Sequence, residues 1–240
     1  MIDHTHDPLA RSWVASAQHP GTDFPLQNLP HGVFRRRGCL EAWRGGVAIG
    51  DAVLDLRAAL EIGVFEDQPE LTRAALVAAS ADTLNDLMAL GRTAWRRLRA
   101  ALFAALRADS PLAVRLERCL VPRDAIEMRL PALIGDFTDF FTSHDHMRRM
   151  GELFQPDKPL LPHFNSLPIA YHGRASTVAV SPHTVTRPWG QVRGPDGLAV
   201  FAPTRALDFE LELGAWVGQG QAPGQAIPLA QAEEHLFGLC

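Results

Sequence analysis

Residues 207–213 alternate without a break: Leu207, Phe209, Leu211 and Leu213 interleave with Asp208, Glu210 and Glu212. A period of two belongs to a β-strand, so this stretch predicts a strand over 207–216 with one apolar face and one face of carboxylates. Two rises of about 3.3 Å put neighbouring carboxylates roughly 7 Å apart. On a partly buried face each adjacent pair repels by about 2 kcal/mol at an effective dielectric near 20. Either water solvates that face, or a hard divalent cation turns the repulsion into binding, since Ca²⁺ and Mg²⁺ are held by carboxylate oxygens.

A second cluster, "DFTDFFTSHDHMRRMGELF" at 136–154, gathers Asp136, Asp139, His144 and His146. His144 and His146 stand two apart, which on a strand suits a pair of zinc ligands, but no third nitrogen or sulfur ligand lies at a useful spacing. A better division gives Asp139 to a hard cation and one imidazole to proton transfer, because histidine titrates near neutral pH. The alternative is a turn whose polar groups satisfy one another.

The rest of the chain bounds these readings. With 240 residues and 47% hydrophobic content it can bury a sizeable core in one large or two modest domains. The formal net charge of -4 gives no field to gather nucleic acid or an anionic membrane. Cys39, Cys119 and Cys240 are odd in number and far apart, with no disulfide framework or zinc knuckle, which fits a reducing compartment. The start lacks a signal-peptide pattern and no apolar run is long enough to span a bilayer, so the expectation is a cytoplasmic protein without a membrane partner.

Along the chain, "GVF" at 32–34 and "GGVAIGDAVLDL" at 45–56 read as strands, with a hairpin turn at Gly50-Asp51. Residues 83–106 place Leu84, Leu87, Met88, Trp95, Leu98, Leu102 and Leu106 on one face of a single helix, with Arg92, Arg96 and Arg99 as a solvated opposite stripe. After Leu120 the text turns to Pro-, Gly- and His-rich loops between short strand-like runs, which puts a domain boundary there: 1–120 and 121–240. Residues 217–228 read as a hairpin loop rather than a nucleotide site, followed by a short helix near 229–236.

Taken together, "NLPHGVF", "GVAIGDAVLDL", "TLNDLMALGRTAW", "DFTDFFTSHDH", "LPIAYHGRAST", "RPWGQ", "LDFELELGAWVG" and "EEHLFG" resemble the fumarylacetoacetase family, in its order and near its spacing. The resemblance implies a mainly β protein with some α: a small SH3-like barrel with helices, then the first part of a β-roll catalytic domain. It implies metal-dependent hydrolysis of a carbon-carbon bond in the small molecule 4-fumarylacetoacetate, giving fumarate and acetoacetate as the last step of tyrosine and phenylalanine catabolism. It also implies a homodimer in the complete protein. By resemblance Asp139, Glu210 and Glu212 are ligands of Ca²⁺ or Mg²⁺, His146 is the catalytic base and Tyr171 contacts substrate.

Phe141 and Gln155 depart from the pattern, standing where animal members have a substrate-contacting Tyr and where the family commonly has Arg. Family members also continue past "EHLFG" into an Asn-Asp-Trp-Ser-Ala-Arg-Asp segment with a fourth metal carboxylate and an oxyanion-stabilising Arg. The chain is therefore expected to be a fragment, inactive alone and prone to self-association. Two other readings compete: a related oxo-acid hydrolase or decarboxylase of the same superfamily, and a non-catalytic interaction domain.

Overall fold

The strand-forming run from Gly32 to Leu56 folds as the pattern predicts. In the computed structural model, which describes residues 2–240, β1 (His31–Arg36), β2 (Arg44–Ile49) and β3 (Ala52–Asp55) form a meander. The β2–β3 turn is Gly50-Asp51, and the register pairs Ile49 with Ala52. Helices follow: α1 (Leu56–Glu61), α2 (Glu70–Ala79), α3 (Asn85–Ala89), α4 (Arg92–Leu106) and α5 (Ala113–Glu117). The chain then returns to the sheet with β4 (Leu120–Pro122) and β5 (Ile126–Arg129), giving the order β4-β3-β2-β1-β5, antiparallel throughout. The first sheet thus continues past Leu120.

Beyond it lie β6 (Thr138–Phe140), α6 (His144–Phe154), β7 (Ala170–His172), β8 (Trp189–Arg193), β9 (Ala199–Pro203), β10 (Ala215–Val217) and β11 (Leu236–Leu239). These strands form two-stranded ladders, β6 with β7, β8 with β9 and β10 with β11. The described residues therefore make a mixed α/β structure built on an open five-stranded antiparallel sheet, rather than a mainly β chain with a closed barrel. By compactness they fall into two units: the residues up to Ala132 with Val180–Cys240, and Leu133–Ala179.

In the larger unit the helices cover one face of the sheet. Val33, Val47, Ile49 and Leu54 join Leu76, Leu87, Leu98, Leu102 and Leu106 in one fully buried cluster. Each such side chain removed from water contributes about 1.5–3 kcal/mol. A smaller cluster, Phe34, Val53, Val121 and Ile126, packs on the other face.

At the sheet's end Asp55, itself 2% exposed, caps α1 by accepting the Ala58 amide at 3.0 Å. Its other carboxylate oxygen pairs with buried Arg44 at 2.8 Å, and Glu41 approaches Arg44 from the other side at 2.7 Å. The hydrogen bond from Arg44 holds the Glu41 carboxyl down at about 2.

The single helix predicted over 83–106 is two. Gly91 breaks it at φ 77°, in the left-handed region, so α3 and α4 meet at an angle that no continuous helix permits. The predicted apolar face is nonetheless the buried one. Arg99 leaves the expected solvated stripe: its Nε donates to the Thr5 hydroxyl at 2.8 Å and its fork also donates to the Gln27 carbonyl.

The predicted strand over 207–216 shrinks to β10. Residues 204–214 form no regular secondary structure, and the apolar set of the alternation lies in solvent, with Phe209 88% and Leu211 99% exposed. Alternation supplies two faces, but a strand also needs a neighbour to exchange ladder bonds. The hairpin reading of 217–228 is correct: this loop and a 3₁₀ helix at Leu229–Glu234 connect β10 to β11.

Candidate functional site

Asp139 sits at the centre of β6, directly opposite Tyr171 of β7. Opposed residues of an antiparallel pair project from the same face, so the carboxylate and the phenol share one side of this ladder. The pairing extends one step further through the Phe141 amide, which donates to the Ile169 carbonyl at 2.9 Å, and at the other end through Gly173 to Phe137 at 3.1 Å. By alternation Phe141 lies on the same face as Asp139. The two motifs "DFTDFF" and "IAYHG", some thirty residues apart in sequence, thus form one small surface carrying Asp139, Phe141 and Tyr171.

His144 and His146 stand in the first turn of a helix, not on a strand, so their spacing of two turns their side chains away from a common face. Ser143 starts that helix: its hydroxyl accepts the His146 amide at 3.3 Å, and Asp145 lies in the first turn, where an acid complements the helix dipole. The capping fixes the backbone of His146 while its side chain remains exposed. Gln155 is the C-cap residue of the same helix, donating its amide to Gly151 at 2.6 Å. The cap positions of α6 therefore bracket both residues.

One contact was missed in the sequence. His172 approaches Asp136, Nε2 to Oδ1 at 3.4 Å, at the edge of the β6–β7 ladder. The signal was present as an acid three before Asp139 and a histidine directly after Tyr171, but only the register joins them.

Glu210 and Glu212 lie in the exposed 204–214 segment of the larger unit, which runs directly into β10. As donors, Asp139, Glu210 and Glu212 are all hard carboxylate oxygens, the chemistry that suits Ca²⁺ or Mg²⁺ and not a thiophilic ion. Among the described residues no group of three or more His, Cys, Asp or Glu side chains is gathered closely enough to hold a metal ion. Cys39, Cys119 and Cys240 are free thiols. A shallow recess of about 380 Å³ lies among the N-terminal residues, between Pro8 and Gln27, and includes none of the predicted site residues. No described helix is long and apolar enough to cross a membrane.

An open antiparallel sheet with a helical cover, followed by short hairpins that carry an acid opposite a tyrosine, defines a two-part chain, and two family models match its two parts in order. The one described as "Fumarylacetoacetase N-terminal" matches residues 27–131, and the one described as "Fumarylacetoacetate (FAA) hydrolase C-terminal" matches residues 137–240. The chain belongs to the fumarylacetoacetate hydrolase family. It is 45% identical over 251 aligned residues to a protein named fumarylacetoacetase from Oryza sativa subsp. japonica, an alignment covering all of this chain and 56% of the relative. It is 41% identical to the fumarylacetoacetase of Mus musculus and 40% identical to that of Homo sapiens, each alignment covering 91% of this chain and 52% of the relative. The chain spans about half the length of the curated relatives it matches.

Proposed function

We propose that this chain is the portion of a fumarylacetoacetase that carries the catalytic base and part of the metal-binding acids. In this reading the complete protein hydrolyses the carbon-carbon bond of 4-fumarylacetoacetate to fumarate and acetoacetate, closing tyrosine and phenylalanine catabolism. The observation that supports it most is the ordered match of both family models, with Asp139 and Tyr171 paired across one ladder inside the second. The reading further includes an SH3-like front, a β-roll catalytic part, a homodimer and a cytoplasmic location.

His146 takes a proton from water at a ring nitrogen, and the hydroxide formed attacks the ketone carbon of the substrate. Cleavage then releases acetoacetate as its enolate, which is reprotonated, so one water is consumed per bond broken. Tyr171 donates its hydroxyl hydrogen to a substrate oxygen. Phe141 offers the same face without a hydroxyl, and Gln155 offers an amide where a cation would hold a carboxylate, so both weaken the grip on the substrate. Asp139, Glu210 and Glu212 would hold Ca²⁺ or Mg²⁺, which would supply Lewis-acid polarisation of the diketone and charge stabilisation of the leaving enolate.

Because the chain spans about half of its relatives, we expect it to turn substrate over far more slowly than they do. Loss of one group that stabilises the developing negative charge costs about 10²–10³ in rate. The test follows 4-fumarylacetoacetate consumption and product identity for the 240-residue chain and for a version completed to the length of the relatives. Fumarate and acetoacetate from the completed protein, abolished by His146→Ala, are expected. Turnover of a different oxo-acid with no cleavage of 4-fumarylacetoacetate, or cleavage that survives His146→Ala, overturns the proposal.

A further inference from the structure

The acidic segment 204–214 is held on its C-terminal side by the β10–β11 hairpin, and this hairpin is seated on the helical layer. A two-stranded hairpin alone is marginal in water. Here Gly214 and Cys240 exchange both backbone hydrogen bonds, at 2.8 and 2.9 Å, and lengthen the ladder by one pair. Trp216 and Phe237, one from each strand, pack against the main core cluster.

The contacts converge on Trp95 of α4. Its ring meets Phe237 edge-on, with centroids 5.2 Å apart and planes at 84°, a favoured aromatic geometry. Its indole N–H donates to the Leu87 carbonyl at 2.7 Å across the α3–α4 break, which fixes the ring's orientation. Gly218, directly after β10, lies flat on the same indole: a Cβ there would come within 2.6 Å of Cζ2 and Cη2 and 3.1 Å of the Met88 carbonyl. The Gly218 amide in turn donates to the His235 carbonyl at 2.8 Å, and the His235 ring meets the Gln219 carbonyl at 2.6 Å, closing the loop around the contact. By contrast, the apolar side chains of the acidic segment give no anchorage of their own, since Leu207, Phe209, Leu211 and Leu213 are all exposed.

We propose that Trp95, with Phe237 and Gly218, is a positioning residue: it clamps the β10–β11 hairpin to the helical layer and so fixes where Glu210 and Glu212 are presented. The helical front thereby serves as the seat of the hairpin that follows the acidic segment. This rests on the reading of those acids as ligands, so the test separates the two.

Amide hydrogen exchange and calorimetric titration with CaCl₂ are measured on the wild-type chain, Gly218→Ala and Trp95→Ala. Gly218→Ala is expected to speed exchange of the Gly218 and Cys240 amides by about tenfold or more, while the β2–β3 amides keep their protection. It is expected to weaken Ca²⁺ binding by about tenfold. Trp95→Ala, which removes the clamping ring itself, is expected to move both in the same direction while the β2–β3 amides keep their protection. Unchanged exchange in Gly218→Ala overturns the clamp. Faster exchange with unaltered Ca²⁺ affinity overturns the positioning role, because the hairpin would then be seated without consequence for the acids. A wild-type chain that binds no Ca²⁺ overturns the ligand reading and the positioning role with it, and the exchange data then decide the clamp separately.

Discussion

Removing the Asp55 carboxylate tests whether the junction of β2, β3 and α1 is held as the structure indicates. Asp55 is 2% exposed, pairs with Arg44 at 2.8 Å and caps α1 through the Ala58 amide at 3.0 Å. Breaking a buried ion pair by removing one partner costs about 3–5 kcal/mol, because the other charge is left in a poor solvent. Arg44 keeps Glu41 at 2.7 Å, so the lower end applies. The lost cap adds about 1 kcal/mol. Asp55→Ala should therefore cost about 4 kcal/mol, and about 8–16 °C in melting temperature for a chain of this size. Asp55→Asn retains a capping oxygen and isolates the pair, at about 3 kcal/mol. In Asp55→Ala/Arg44→Met no buried charge is left unpaired, since Glu41 keeps Arg36 at 3.1 Å, so part of the loss should return. Urea unfolding followed by circular dichroism measures all three. Losses below about 1 kcal/mol for both Asp55 variants, or a double variant no better than Asp55→Ala, would refute the reasoning.

Burial, and secondarily the charge of Arg99, lowers the His31 imidazole from its ordinary range to about 4, and its Nδ1 is enclosed without a partner. A lowered folded-state value means that the contribution is complete above the unfolded value near 6.5 and is lost as pH falls toward 4. At about 1.4 kcal/mol per pH unit the loss approaches about 3 kcal/mol, and the difference in unfolding free energy between wild type and His31→Phe should shift by that much between pH 7 and 4, a comparison that a constant difference would contradict. Gly91→Ala puts a side chain at φ 77° and against the Gln219 carboxamide, so it should cost about 1–2 kcal/mol in the same unfolding assay. In a version completed to the length of the relatives, Gln155→Arg should lower KM for 4-fumarylacetoacetate by about tenfold through a charge-assisted contact, and an unchanged KM would remove that role from position 155.

Much of the sheet and helical layer was legible because local pattern and tertiary need agree there. The Gly50-Asp51 turn and the apolar stripe from Leu84 to Leu106 each specify their structure within a few residues. The break at Gly91 was not legible, since a glycine inside a helix costs only about 1 kcal/mol and its left-handed φ is imposed by the angle between α3 and α4. Nor was the half-burial of Arg99, whose partners Thr5 and Gln27 come from segments more than seventy residues away. Within the site, the pairing of Asp139 with Tyr171 depends on a register between two short strands, and the contact of His172 with Asp136 depends on the same register. The alternation at 207–213 specifies two faces but not the neighbour needed to make a strand, which is why the pattern and the observed extended segment differ there.

Calorimetric titration with Ca²⁺ of the wild-type chain against Asp139→Asn and Glu210→Gln/Glu212→Gln tests the ligand assignment most directly. A single saturable site, weakened by about tenfold or more in each variant, is the predicted result. Binding that is indifferent to all of these substitutions would contradict it.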